Sequence, residues 1–76
     1  MKIEEIRIPS MMGENVKVKK WYVKNNEMVK KNSLLVEIES GDFDMEINSN
    51  YSGKLKILLQ EDSYGKTNDV LCTITY

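Results

Sequence analysis

The stretch VEIESGDFDMEI, residues 36–47, decides how this chain folds. Apolar and charged residues alternate on both sides of a short segment, SGDF at residues 40–43. A strand with one buried face produces such alternation, and glycine and aspartate favour tight turns between paired strands. The stretch therefore predicts a β-hairpin whose tip is formed by Gly41, Asp42 and Phe43.

The same period of two recurs along the chain. Apolar residues occupy alternate positions in short runs at residues 6–8, 16–18, 34–38, 45–47 and 55–59. Glycine, asparagine, aspartate and serine separate these runs, and they favour turns. No segment shows a convincing helical period. The pattern therefore predicts an all-β fold, either a small sandwich or a barrel.

The alternation changes phase once. Val16 and Val18 have even numbers, whereas Trp21 and Val23 have odd ones. If all four side chains face inward, the strand must bulge or bend, because a slip of one residue exchanges its two faces. We expect this bulge at residues 19–20.

A weak internal repeat relates two parts of the chain at a shift of 36 residues. The shift aligns residues of similar character: Trp21 with Ile57, Val23 with Leu59, Lys30 with Lys66, Asn32 with Asn68, Leu35 with Leu71, Val36 with Cys72, and Ile38 with Ile74. Two such half-units could pack face to face and bury each other's apolar side.

Three asparagines lie in the segments between the predicted strands. Asparagine tolerates the left-handed backbone region better than any residue except glycine. We therefore expect a positive φ at Asn26, Asn32 and Asn68.

Composition narrows the possible functions. The chain has 76 residues, which predicts one domain over residues 1–76. It has no histidine and a single cysteine, Cys72. This excludes Ser–His and Cys–His nucleophilic pairs, the usual zinc sites and an internal disulfide. We expect no enzymatic activity, and we expect Cys72 to be a small buried apolar residue.

The net charge of −1 predicts no strong field that would attract nucleic acid or membranes. The lysine-rich stretch at residues 17–24 is interpreted as a solvated strand face. No apolar run approaches the roughly 20 residues of a membrane helix, and no secretory signal pattern is present. We expect a cytoplasmic monomer that binds neither nucleic acid nor membranes.

Three carboxylates lie at the hairpin tip and just after it, at Asp42, Asp44 and Glu46. Their spacing does not match that of a loop that surrounds a hard cation with oxygens. We therefore expect no metal site, and we expect lysines of adjacent strands to pair with carboxylates such as Glu37 and Glu39.

Large apolar residues outside the alternating pattern suggest further packing sites. Trp21 and Met45 are expected in the core, because one large aromatic contributes much of the buried area of a small domain. Met11 and Met12 are expected to cover one end of the barrel.

Four segments follow one another at the spacing of a known family. They are IRIPSMMGENVKVKKWYVK, NNEMVKKNSLLVEIES, DMEINSNYSGKLKIL and EDSYGKTNDVLCTI. In this pattern the chain resembles the lipoyl domains of 2-oxo acid dehydrogenase complexes, of the pyruvate dehydrogenase type. The resemblance implies a flattened barrel of two small antiparallel sheets with approximate two-fold symmetry. The chain departs from the family at Asn26, Glu27 and Asn32, where such domains have a Gly-Asp turn and a second glycine.

The hairpin tip is the main departure. Such domains carry an Asp-Lys-Ala-like turn whose lysine is lipoylated. Aligned without gaps, that turn falls on Gly41, Asp42 and Phe43, with Asp42 at the lysine position. Lipoate is the family cofactor, and its attachment needs an amine that an aspartate lacks. The Met-Lys-Met-like tip of the biotinyl relatives is absent for the same reason.

Other lysines do not compensate for this change at the tip. Lys30, Lys31 and Lys66 lie in polar turns, and Lys54 begins a predicted strand. We therefore expect no cofactor on this chain.

Two hypotheses of function remain. In the first, the chain is a carrier-type domain that has lost its attachment residue, and its partners by resemblance are 2-oxo acid dehydrogenases and lipoyl-ligase-type proteins. In the second, it is an artificial or purely structural protein with this fold and no biochemical activity. The second is favoured by the loss of the functional residue while the core positions remain intact, by the asparagines in place of turn glycines, and by chain ends that coincide with the domain boundary.

Overall fold

The computed structural model describes residues 1–41 and 43–76. Within them the chain forms eight strands and a 3₁₀ turn at Ser10–Met12. The strands are β1 Ile3–Arg7, β2 Val16–Trp21, β3 Met28–Val29, β4 Leu34–Ser40, β5 Phe43–Asn48, β6 Gly53–Ile57, β7 Tyr64–Gly65 and β8 Val70–Thr75. The all-β prediction is confirmed. No helix in the described residues is long and apolar enough to cross a membrane.

The strands form two antiparallel sheets of four. The first sheet has the order β1-β8-β6-β3, and the second has the order β5-β4-β2-β7. The apolar inner faces of both sheets contribute to one continuous core. This is the predicted sandwich of two small antiparallel sheets.

The two sheets correspond strand by strand at an approximate two-fold axis. Each strand of the first sheet has a counterpart in the second: β1 with β5, β8 with β4, β6 with β2, and β3 with β7. Within the 36-residue repeat, β2 and β4 of the first copy share a sheet with the short β7 of the second copy, and β6 and β8 of the second copy share a sheet with the short β3 of the first. The half-units therefore pack face to face, as predicted, but they also exchange their shortest strands.

Four turn residues with positive φ repeat at the same spacing. Asn26 and Asp62 both have a φ of 70°, and Asn32 and Asn68 have φ values of 75° and 76°. The prediction for the three asparagines is confirmed. The repeat also accounts for Asp62, which lies 36 residues after Asn26.

The predicted bulge in β2 is present. The register of β2 with β4 shifts between Val18 and Lys20, so Lys19 is the extra residue. The equivalent pairing of β6 with β8 has no shift. The strand therefore changes phase at Lys19, and this places both Val18 and Trp21 toward the inner face.

Two further bulges, one in β4 and one in β8, were not predicted. The register of β4 with β5 skips Leu35, and the register of β8 with β1 skips Leu71. Both leucines are fully buried, and so are Val36 and Cys72 beside them. Simple alternation over residues 34–38 places Leu35 on the outer face, and that expectation is wrong because a bulge lets two successive side chains face inward.

The core is almost entirely aliphatic. Its buried apolar residues are Ile8, Met12, Val16, Val18, Val29, Leu35, Val36, Ile38, Leu55, Leu71, Cys72 and Ile74. The buried position expected for Cys72 is confirmed. Trp21 and Met45 are only partly buried and pack against this core, while Met12 is buried and Met11 is exposed. The core is therefore built from small branched side chains rather than around an aromatic anchor.

Candidate functional site

The hairpin of β4 and β5 carries the candidate site. Glu39 pairs with Asp44 and Ser40 with Phe43, so only two residues, at positions 41 and 42, connect the strands. Two-residue connections favour turns with positive φ, since these match the twist of the strands. Gly41 has a φ of 58°, as such a turn requires. The predicted hairpin is confirmed over the described residues.

Asp42, the predicted attachment-equivalent residue, lies outside the described residues, and its role stays a prediction. Its two predicted neighbours at the tip are described. Gly41 is exposed, and Phe43 is 46% exposed at the start of β5. The tip therefore presents an aromatic ring to solvent next to the turn.

A network of charges lies on the outer face of the hairpin. The Nζ atom of Lys19 lies 3.2 Å from Oδ2 of Asp44 and 3.8 Å from Oε2 of Glu37. The hydroxyl of Tyr22 donates to Oε1 of Glu37 over 3.2 Å, and Nζ of Lys20 lies 5.0 Å from the centre of the Tyr22 ring. The bulge in β2 thus directs its extra residue, Lys19, toward carboxylates of β4 and β5.

These contacts shift the pKa of two groups. The hydrogen bond to Asp44, together with the charges of Asp44 and Glu37, raises the pKa of Lys19. Desolvation, followed by the charge of Glu37, raises the pKa of Tyr22. The two carboxylates therefore favour the ammonium form of Lys19, which is the form that makes these contacts.

The expected pairing of lysines with strand carboxylates is confirmed by Lys19. The sequence predicted the bulge from its phase change, but it did not show that the extra residue would contact β5, two strands away. That contact depends on the strand order, which alternation does not specify. Among residues 1–41 and 43–76, no group of three or more cysteine, aspartate or glutamate side chains could hold a metal ion.

Three concave surfaces of the described part of the chain lie away from Gly41 and Phe43. A groove of about 600 Å³ lies beside β3, and smaller cavities of about 270 and 300 Å³ are lined by Tyr51 and Tyr64 among others. Neither Gly41 nor Phe43 lines any of the three. These three concave surfaces are therefore separate from the described residues of the tip.

Comparison with known proteins defines the class of this domain. The model of a family described as biotin-requiring enzyme, the biotin/lipoyl attachment domain, matches residues 4–74. The chain belongs to this family. Biotin/lipoyl domains are carrier domains rather than catalytic ones, and the fold of two four-stranded antiparallel sheets agrees with that class. No curated protein matched the sequence.

Proposed function

We propose that this chain is a lipoyl-domain-like carrier module of a 2-oxo acid dehydrogenase acyltransferase, in which Asp42 replaces the attachment lysine. The module would dock with 2-oxo acid dehydrogenase and lipoyl-ligase-type proteins without carrying lipoate. One observation supports this most directly. The pairing of Ser40 with Phe43 limits the tip to two residues, and the sequence there is Gly41-Asp42.

The chemistry of attachment supports the absence of the cofactor. Lipoate and biotin are both attached through an amide between their carboxyl group and a lysine amine. Asp42 offers a carboxylate, which cannot act as the amine component of that bond. The residues of the tip therefore do not fit the covalent group of the family.

The nearest lysine of the hairpin network does not replace the missing amine. Lys19 lies on the outer face of β2, where its amine pairs with Asp44 and Glu37 and is not part of the hairpin tip. Lys30, Lys31, Lys54 and Lys66 lie in or beside β3, β6 and β7 rather than in the hairpin. A ligase that approaches the hairpin tip would therefore find no lysine in residues 40–43.

A mass measurement tests the proposal. The protein is incubated with lipoate, ATP and a lipoyl ligase, and its intact mass is determined. The unaltered chain is expected to gain no mass, whereas Asp42→Lys is expected to gain one lipoyl group. Glu46→Lys is the matched control, because it makes the same charge change on an exposed residue of β5 away from the tip, and it should stay unmodified.

Three outcomes separate the hypotheses. A lipoyl group on the unaltered chain would refute the proposed loss of attachment. Modification of Asp42→Lys alone would support a carrier domain that lacks only its nucleophile. If Asp42→Lys folds and also stays bare, the hairpin lacks the surface that a ligase needs, and an artificial or purely structural protein becomes the better explanation.

A further inference from the structure

The groove beside β3 is larger than the two other concave surfaces described above. Its volume is about 600 Å³, and it lies between β3 and the end of β8, with Gly53 of β6 at its floor. A Cβ atom on Gly53 would lie 2.3 Å from the carbonyl oxygen of Thr75. Position 53 therefore has no room for a side chain, and the chain contributes only backbone atoms to the groove there.

Two large apolar side chains border the groove. Met28 is 70% exposed, and Tyr76 is 42% exposed. The Tyr76 ring is stacked on Tyr51, with 4.7 Å between the ring centres and 15° between their planes. One border is thus held by an aromatic stack, while the other is a flexible methionine that can adapt to a bound apolar group.

Three lysines surround the same groove. Lys30 and Lys31 line it, and Lys54 lies next to Met28 because the two residues pair across β3 and β6. All three are exposed. Among the residues that the structure describes, none of the three has a carboxylate oxygen within 4.0 Å, whereas Lys17 and Lys19 both do.

The other sheet provides an internal comparison. Across the two-fold axis, Tyr64 and Lys66 take the places of Met28 and Lys30. The concave surface there is about half as large, about 300 Å³, and Glu14 and Asp69 line it together with Lys66. The excess of positive charge is therefore a property of the β3 groove and not of the fold as such.

We propose that the β3 groove binds an acidic peptide segment, with one apolar side chain against Met28. The three lysines match carboxylates in charge, and the exposed methionine offers contact to an apolar group. This proposal concerns a surface distinct from the hairpin tip and does not depend on the proposed function.

Fluorescence anisotropy with a labelled peptide, Glu-Asp-Glu-Leu-Glu-Asp-Glu, tests the binding. Saturable binding is expected, and it should weaken severalfold as salt rises, because salt screens exposed charges. The double variant Lys30→Glu/Lys31→Glu should weaken binding by about tenfold or more, since it replaces attraction by repulsion. Met28→Ser should weaken binding of this peptide but not of the same peptide with glycine in place of leucine.

The matched control is Lys24→Glu/Lys66→Glu, which makes the same change of net charge on exposed lysines elsewhere. It should alter the affinity by less than about twofold. Equal losses in the two double variants would overturn the proposal, because they would show a response to net charge alone. Circular dichroism checks that each variant is folded. A second double variant, Lys30→Gln/Lys31→Gln, removes the two charges without reversing them and should also weaken binding.

Two further probes address other polyanions. A single-stranded oligonucleotide and vesicles of phosphatidylcholine with phosphatidylserine should bind more weakly than the peptide. Tighter binding of either would overturn the assignment to a peptide. Amide NMR signals of Met28, Lys31 and Thr75 should shift on addition of peptide while those of Gly41 and Gly65 stay in place, and the reverse pattern would contradict the site.

Discussion

Cys72 shows how burial alone sets the chemistry of a side chain. It lies in β8, fully buried among aliphatic residues, and desolvation raises the pKa of its thiol to about 12. A thiol in an unfolded chain has a pKa of about 8.5. The folded protein therefore keeps the thiol protonated at pH values where the unfolded chain would release the proton.

This difference predicts a dependence of stability on pH. Above pH ~8.5 the unfolded state binds fewer protons than the folded state, so stability falls as pH rises toward ~12. The contribution of Cys72 is complete below pH ~8.5 and is lost as the pH rises from ~8.5 toward ~12.

Urea unfolding of the wild type and of Cys72→Ala, with reductant present, measures this contribution. At pH 7 the variant should be less stable by about 1 kcal/mol or more, and this gap should narrow at pH 10. The effects of lysine and tyrosine titration on stability cancel in this comparison, because both proteins contain the same lysines and tyrosines. A difference in stability that stays constant between pH 7 and pH 10 would contradict the prediction.

Among the strands, β2 and β6 show what a single added residue does. The sequence of β6 is GKLKI, whereas that of β2 is VKVKKW, which has one extra lysine. The bulge at Lys19 absorbs this residue, so that residues on both sides of it keep their faces. The added lysine in turn reaches Asp44 and Glu37. The insertion therefore adds a surface network without disturbing the core.

Deletion of Lys19 tests this account of β2. Without it, residues 17, 18, 20 and 21 would pair with residues 39, 38, 37 and 36 in an unbroken register. The variant should fold, with a small decrease in melting temperature from the lost ion pairs. Deletion of Lys56, which pairs in β6 without a bulge, is the matched control. It should cost about 2 kcal/mol or more, because it turns the partly buried Ile57 toward solvent. Thermal unfolding followed by circular dichroism measures both, and equal damage by the two deletions would disprove the assignment.

For the whole molecule, the two-fold relation extends to the ends of the described chain. The amide of Lys2 donates to the carbonyl of Tyr76 over 2.6 Å, and the amide of Tyr76 donates to the carbonyl of Lys2 over 2.9 Å. In the register of the sheets, Lys2 and Tyr76 take the places that Phe43 and Ser40 hold in the hairpin. Residues 2 and 76 are therefore close enough to be joined by a tight turn.

A circular permutant follows from this geometry. An Asn-Gly linker would join Tyr76 to Lys2, and the chain would be opened between Gly41 and Asp42. The permutant should fold, with a free energy of unfolding within about 2 kcal/mol of the original, because a tip connection is exchanged for an equivalent one. Opening the chain between Val36 and Glu37, in the middle of β4, is the control and should abolish folding. If opening at the tip is as damaging as opening in β4, the two-fold equivalence does not extend to the chain ends.

The candidate site could be predicted only in part. The two alternating runs and the Gly-Asp pair were sufficient to place the hairpin and its turn, because turn chemistry and strand alternation act over a few residues. The contact of Lys19 with Asp44 could not be found in the same way. It depends on β4 lying between β2 and β5, and strand order is a property of the complete sheet.

The sequence by itself determined the long alternating strands β1, β2, β4, β5 and β6, the bulge at Lys19, the positive φ of three asparagines and the burial of Cys72. Each of these depends on local backbone preferences or on the inward and outward alternation of side chains. Only the tertiary structure decided the bulges at Leu35 and Leu71, the exchange of β3 and β7 between the sheets, and the lysine-lined groove beside β3. These features depend on which distant segments pair, and residues far apart in sequence become neighbours only when both sheets close around the core.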